Sequence, residues 1–345
     1  MLIFVPVTLG AQYIGVSPAI VFFLCALAIV PLAKYIGEAT EELAGRTNPG
    51  LGGFLNATFG NATEIIIGIF ALNAGLVEVV KASITGSIIG NILFVLGMAI
   101  FFGGLKHTKQ TFSATAAKAA GSTLLLAVIA LVVPAIFSIT STAAGTSTLL
   151  AKTETLSIIV SVIMIASYAT NLLFTLRTHK HLYDAEVDKY EPKWSVGKSV
   201  LILLSATAVV SWMSEILVGA IEPLVHTWGW TELFIGVILI AIIGNAAEHA
   251  SAVTVAIKNR MDLAIQVSIG SAIQIAMFAA PLLVLVSLLF PTHMSLVFNT
   301  FELVAIIFAV FIANSVAEDG ESNWFEGAQL LAAYAIIAVA FFFHP

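Results

Sequence analysis

The chain has 345 residues, 59% of them hydrophobic and 10% charged, with a net charge of −6 and a mean hydropathy of +1.04. That leaves too little polar surface to cover a soluble globule, so the composition excludes one and points to an all-α integral membrane protein embedded in a lipid bilayer. The mildly negative charge excludes nucleic acid as a partner, and the single cysteine, Cys25 in an apolar run, excludes an internal disulfide and reads as a small core residue.

A membrane-spanning helix needs about 20 apolar residues. Eleven such runs follow along the chain, over residues 2–15, 17–36, 52–73, 82–104, 112–137, 154–176, 197–221, 232–257, 262–290, 295–316 and 325–343. The first is short, and its start, Met1-Leu2-Ile3-Phe4-Val5-Pro6, has no basic segment and no small-residue cleavage site, so no signal peptide is expected. The longest polar break runs from Arg177 to Lys198, through His179, His181, Asp184, Glu186, Asp188 and Glu191. It divides the chain into an extra N-terminal helix (1–16), a first transmembrane repeat (17–177), a connector (178–196) and a second repeat (197–345).

The third run contains Gly60-Asn61-Ala62-Thr63-Glu64, and the eighth contains Gly244-Asn245-Ala246-Ala247-Glu248. A carboxylate at this depth is unfavourable by several kcal/mol, so it normally faces a protein interior or a water-filled pathway and is normally functional. The bland alternative, a protonated Glu tying two helices together, weakens once the motif occurs twice. Glu64 and Glu248, Glu78 and Asp262, and Gly86-Ser87 and Gly270-Ser271 share one offset of 184 residues, which marks two copies of one unit.

Charge in the breaks orients the copies. With strict alternation, twelve of the 14 Lys and Arg residues fall on one side and only Lys81 and Lys152 on the other. The positive-inside rule then places the amino terminus in the cytoplasm and the carboxyl terminus outside. Five spans per copy is an odd number, so the two copies cross in opposite directions. That is the inverted-repeat plan of secondary transporters, with the substrate site at the repeat interface.

Gly60 and Gly244 stand four residues before their glutamates, on the same helical face. A glycine there lets a backbone or an ion come close and can free carbonyl oxygens as ligands. Asn61 and Asn245 add amide oxygens, and Ser87 and Ser271, followed by Asn91 and Gln274, add more polar groups in the spans that come next. Hard oxygen donors of this kind suit Ca²⁺ better than the smaller Mg²⁺. Helix packing by small residues is an equal alternative for Ser87 and Ser271. His249 follows Glu248 and has no counterpart in the first copy; beside a carboxylate it joins a proton relay, or it simply donates to a carbonyl. Two bare carboxylates in a dry cavity repel each other, whereas one Ca²⁺ or two protons neutralise them. If only the neutral site can be carried across, obligatory exchange follows, with the two acids titrating as a pair.

Glu38, Glu41, Glu42, Glu318, Asp319, Glu321 and Glu326 fall near the cytoplasmic face, where such charges are solvated or help to concentrate cations. The remaining histidines, His107, His179, His181, His226, His293 and His344, lie near span ends. An intramembrane enzyme would need a nucleophile and base or a histidine cluster in mid-span, and the one deep histidine stands alone. A channel would use rings of identical subunits rather than one duplicated chain.

With these residues in place the chain resembles the cation/proton exchangers, the Ca²⁺/H⁺ branch of the Ca²⁺/cation antiporter superfamily. The paired motifs carry the resemblance, with Gly37-Glu-Ala-Thr-Glu-Glu-Leu43 and Lys258-Asn-Arg-Met-Asp262 beside them, and it covers essentially the whole chain. The resemblance implies eleven spans in a plasma membrane and export of cytosolic Ca²⁺ driven by inward protons. It also implies Glu64 and Glu248 as the shared Ca²⁺ and H⁺ site, and no cofactor beyond these transported ions. Thr63 and Ala247 stand where Na⁺/Ca²⁺ exchangers typically carry a proline, which favours the proton branch. Exchange of Na⁺ for Ca²⁺, or of H⁺ for Mn²⁺ or Mg²⁺, stays open, as does a homo-oligomer. The few acids between Asp184 and Glu191 fall short of the acidic helix of eukaryotic members.

Overall fold

The computed structural model describes residues 2–47, 49–141, 146–179 and 192–344, so Lys180, Lys189, His181 and the connector acids Asp184, Glu186, Asp188 and Glu191 lie outside the described residues. The chain is helical nearly throughout. In order come α1 (Phe4–Tyr13), α2 (Pro18–Ala44), α3 (Pro49–Phe59), α4 (Ala62–Asn73) and α5 (Val77–Lys106), then α6 (Ala114–Thr140), α7 (Thr148–Thr178) and α8 (Val196–Trp228). After α8 come α9 (Glu232–Gly244), α10 (Ala246–Ile257), α11 (Met261–Ser287), α12 (Thr300–Val316) and α13 (Trp324–Phe343). Two short strands, β1 (Gln110–Thr111) and β2 (Glu321–Ser322), pair antiparallel.

Among the described residues seven helices are long and apolar enough to cross a membrane: α2, α5, α6, α7, α8, α11 and α13. An eighth span results if α9 and α10, bent by 60° at their junction, count as one. Four of the expected runs differ from single spanning helices, the first (2–15) because α1 has only 10 residues. The run at 52–73 is broken between α3 and α4, the run at 232–257 between α9 and α10, and the run at 295–316 becomes helical only at Thr300. Both breaks fall at the Gly-Asn pair of a motif, where Asn61 (φ −102°, ψ 22°) and Asn245 (φ −93°, ψ 8°) leave the helical region for the same bridge conformation.

The helices form two compact units, each drawn from both halves of the sequence. The first takes Met1–Ser83, Leu172–Ala247 and Phe342–Pro345. Its centre is α2 lying along α8. Phe22, Cys25, Ile29, Leu32 and Ile36 of α2 are buried at alternating steps of three and four, and so are Leu203, Ala206, Val210, Met213 and Leu217 of α8. That spacing keeps one seam of each helix on its partner. Cys25 sits in this seam, fully buried. α8 ends at Gly229, whose left-handed φ of 69° suits glycine.

The second unit takes Ile84–Asn171 and Glu248–Phe341. Here glycines bring backbones together. A Cβ on Gly104 of α5 would overlap the backbone of Trp324, and one on Gly327 of α13 would overlap the backbone of Phe101. With little hydrophobic force between helices in lipid, such close backbone contact is a main source of helix association. Gly104→Ala and Gly327→Ala are expected to lower stability by about 1–3 kcal/mol through overpacking, read as an earlier thermal melt of the purified protein. Gly219→Ala, with nothing within 4 Å of the added carbon, serves as the neutral control.

One end of this unit is tied by side chains. The Gln110 amide donates to the Ala256 carbonyl at 2.8 Å, which also accepts from the Asn259 amide at 2.9 Å, and His107 Nε2 meets the Ile257 carbonyl at 3.1 Å, both at the end of α10. Asp262 accepts from the Ser113 amide at the start of α6, and Lys109 pairs with Glu321 across β1 and β2.

Candidate ion-binding motifs

In the first unit Glu64 lies in the first turn of α4, directly after the break at Asn61. Its two carboxyl oxygens are buried and neither has a hydrogen-bond partner among the described residues. An unpaired buried acceptor costs about 1–3 kcal/mol, more if charged, so this carboxyl is held where the fold gives it nothing in return. Gly244, from the second motif, faces it: a Cβ added there would lie 2.9 Å from Glu64 Cγ and 3.1 Å from Cδ and Oε1. The glycine is therefore the space the Glu64 side chain occupies. Asn61 and Asn245 are both buried, and Asn245 donates its side-chain amide to the Ala241 carbonyl at 2.8 Å.

In the second unit Glu248 lies in the first turn of α10. Ser271 of α11 donates to Glu248 Oε2 at 3.1 Å, and Asn91 of α5 donates to Ser271 Oγ at 2.8 Å. Serine, asparagine and carboxylate thus form one polar line. Asn91 comes from the first half of the sequence and reaches the second motif. Asn91 occupies a π-helical turn over Gly90–Val95, and Gln274 directly precedes another over Ile275–Ala279. Such wide turns recur at functional sites because they re-aim side chains and loosen the backbone ladder. Ser87 is buried one turn before Asn91. Gly60 borders the break before Asn61. His249 is buried with its ring edge-on to Phe94, centroids 5.5 Å apart, and Phe94 lies 5.0 Å from Tyr334, so the ring also has a packing role.

Other buried polar groups were hidden in the sequence. Glu302 is 1% exposed, closes a capping box with Asn299 at the head of α12, and accepts from Thr85 Oγ1 at 3.0 Å. Asn323 and Glu326 repeat the arrangement at α13. The Asn-x-x-Glu spacing was the available signal. Glu42, expected among solvated charges, is 3% exposed and accepts from the Trp194 amide at 2.8 Å, while Arg46 donates to the Pro192 and Trp194 carbonyls. Together they fix the end of the connector to α2. Among the described residues no three His, Cys, Asp or Glu side chains gather closely enough to hold a metal, so a cation here would rely on few carboxylates and several neutral oxygens.

Broken apolar helices with an acid at the head of each second half, together with seven helices among the described residues, or eight spans if the bent pair counts as one, that are long and apolar enough to cross a membrane, define a polytopic membrane protein of the secondary-transporter class. The chain belongs to the family described as sodium/calcium exchanger protein, which matches residues 17–177 and 198–343. It is 47% identical to the Ca(2+)/H(+) antiporter of Synechocystis, over 100% of this chain and 96% of that one. It is 46% identical to the Ca(2+)/H(+) antiporter ChaA of Bacillus subtilis, over 98% of this chain and 96% of that one. Among solved structures, native YfkE superposes with a TM-score of 0.85 at 43% identity, covering 99% of this chain and 97% of its own. The H+/Ca2+ exchanger CAX shares the fold, with a TM-score of 0.69 at 13% identity, covering 98% of this chain and 89% of its own.

Proposed function

We propose that the chain exchanges Ca²⁺ for H⁺ across a membrane, exporting Ca²⁺ from the cytoplasm. The observation that carries this reading is Glu64, a buried carboxyl with no partner among the described residues, seated against the glycine of the second motif. The relatives at 46–47% identity, all Ca²⁺/H⁺ antiporters by name, support the same choice of ions. In this reading Glu64 and Glu248 serve one transport site by alternating access. Asn61, Asn245, Ser87, Ser271, Asn91 and Gln274 supply neutral oxygens, and the backbone at Gly60 and Gly244 supplies carbonyls. His249 carries protons beside Glu248. One Ca²⁺ or two protons neutralise the pair, so each empties the site for the other. The proposal extends to eleven spans in two inverted five-helix repeats plus the N-terminal helix. It places the protein in a plasma membrane with the amino terminus inside and leaves a homo-oligomer open.

The test is ⁴⁵Ca²⁺ uptake into inside-out vesicles. An acid interior is expected to drive uptake, an alkaline interior to stop it, and a protonophore to abolish it. Uptake that follows Na⁺ and ignores pH replaces the proton with sodium, and a preference for Mn²⁺ or Mg²⁺ replaces the metal. Ser271→Ala removes the link between Asn91 and Glu248. It is expected to raise the Ca²⁺ concentration for half-maximal uptake about tenfold, as loss of one hydrogen bond to a charged ligand does; an unchanged value counts against Ser271 as part of the site.

A further inference from the structure

One end of the second unit gathers aromatic rings and bases that the ion motifs do not use. The rings of Phe102, Phe101, Trp324 and Phe325 follow one another edge to face, with centroids 5.4, 6.5 and 5.9 Å apart. Phe102, Trp324 and Phe325 are 41%, 48% and 56% exposed. Exposed aromatic side chains at the ends of membrane helices sit where hydrocarbon meets the headgroups, so these rings mark that level. Lys106 follows Phe102 by four residues on α5, on the same face and about 6 Å further along the axis, which sets it among the headgroups.

This flank of α5 also meets α10. A Cβ on Gly103 would lie 3.2 Å from the Ala256 carbonyl oxygen, and Lys106 stands three residues after Gly103. His107 Nε2 meets the Ile257 carbonyl at 3.1 Å, so the residues beside these two, Lys106 and Lys258, share one ledge. Asn259, with a left-handed φ of 62°, turns the chain directly after Lys258. Gln110, 1% exposed, fixes the backbone below by donating to the Ala256 carbonyl at 2.8 Å and to Asn259 Oδ1 at 3.2 Å. Both lysines are exposed, and neither has an acidic partner among the described residues. The nearby acids are engaged elsewhere: Glu321 pairs with Lys109, and Asp262 accepts from the Ser113 amide. Arg260 adds a third positive charge two residues on.

We propose that Lys106 and Lys258 bind the phosphate of an anionic phospholipid, which bridges α5 and α10. Each ammonium group brings three donors on a flexible stem, so two of them close on one phosphate from two helices. The ledge beneath is held by Gln110, so the pair has a set spacing. A phospholipid is the occupant because the aromatic rings place the lysines in the headgroup layer, where basic clusters between helices hold anionic lipids. α10 carries Glu248 in its first turn, so the lipid secures the far end of the helix on which that acid stands. Binding requires only that the chain lies in a bilayer, whatever ions it moves.

Native mass spectrometry of the full-length protein, released from nanodiscs with equal phosphatidylglycerol and phosphatidylcholine, reads the bound lipid. Wild type is expected to retain phosphatidylglycerol about tenfold or more over phosphatidylcholine. Lys106→Gln and Lys258→Gln are each expected to cut that preference about fivefold, and together to bring the two lipids near parity. Lys106→Arg with Lys258→Arg is expected to keep the preference, which separates charge from damage to the fold; its loss there overturns charge as the basis of binding. Lys34→Gln with Lys198→Gln, two exposed lysines of the first unit, is expected to leave the preference unchanged. A loss in that variant as deep as in the Lys106 and Lys258 double variant overturns the proposal, since the attraction then belongs to the whole surface. Equal retention of the two lipids by the wild type overturns it outright. Displacement of phosphatidylglycerol by excess inorganic phosphate makes the site one for a soluble anion and overturns the lipid as its occupant. Phosphatidylglycerol is also expected to raise the melting temperature of the wild type and not of the double glutamine variant; an equal rise in both overturns the bridge between α5 and α10.

Discussion

Glu64→Gln is expected to abolish exchange while leaving the protein folded. The amide keeps the size of the side chain but removes one of the two charges that a divalent ion needs and the proton that returns in its place. Ca²⁺ affinity follows the number of charged ligands, so the loss is about a hundredfold or more. Stability is expected to move the other way. Both Glu64 oxygens are buried without a partner among the described residues, and the amide, though just as unpaired, no longer carries a charge that the site leaves uncompensated. The variant should therefore melt at or above the wild-type temperature, as residues kept for function at the expense of stability do. Glu302→Gln is the contrast. That carboxylate accepts from the Asn299 amide and the Thr85 hydroxyl, so its loss is expected to lower the melting temperature. Ca²⁺ uptake by Glu64→Gln protein at the wild-type rate, at any pH, would end the assignment of Glu64 to transport.

The contrast between these two acids also shows what a sequence of this kind reveals. Hydrophobic runs locate helices because lipid demands them, and the positions of α2, α5, α6 and α8 follow the runs closely. The motifs were legible because an acid in such a run has few innocent explanations. Glu302 sits in a run just as apolar, yet it was passed over because it has no twin in the first copy. Its function as a cap depends on Asn299, three residues away, and on Thr85, which only the fold brings near. Glu42 was misjudged for a related reason: its neighbours Glu38 and Glu41 suggested a solvated cluster, and its partner, the Trp194 amide, stands on the far side of the connector. The break at Asn61 was foreshadowed by the glycine before it. The reach of Asn91 to Ser271 was not, because a repeat predicts that two residues are alike, and says nothing about which copy either will touch.

Gly244→Ala is expected to raise the Ca²⁺ concentration for half-maximal uptake about tenfold or more with little change in folding. The added carbon would stand 2.9 Å from Glu64 Cγ and 3.1 Å from its Cδ, closer than carbon atoms pack. The neighbour that must yield is the end of a side chain, so the fold can relax by rotating Glu64 away at modest cost. A metal site cannot relax so easily, because ligand distances hold to within about 0.2 Å. The same methyl group is thus small as a packing defect and large as a displacement of a ligand. Gly270→Ala separates the two effects, since it lies in the matching small-residue motif and has nothing within 4 Å of its added carbon. The alanine at 270 should leave uptake and melting near wild type. Equal affinity in the Gly244 and Gly270 variants would mean that Glu64 does not need the room that Gly244 gives it, and that the second motif's glycine was kept for the helix break alone.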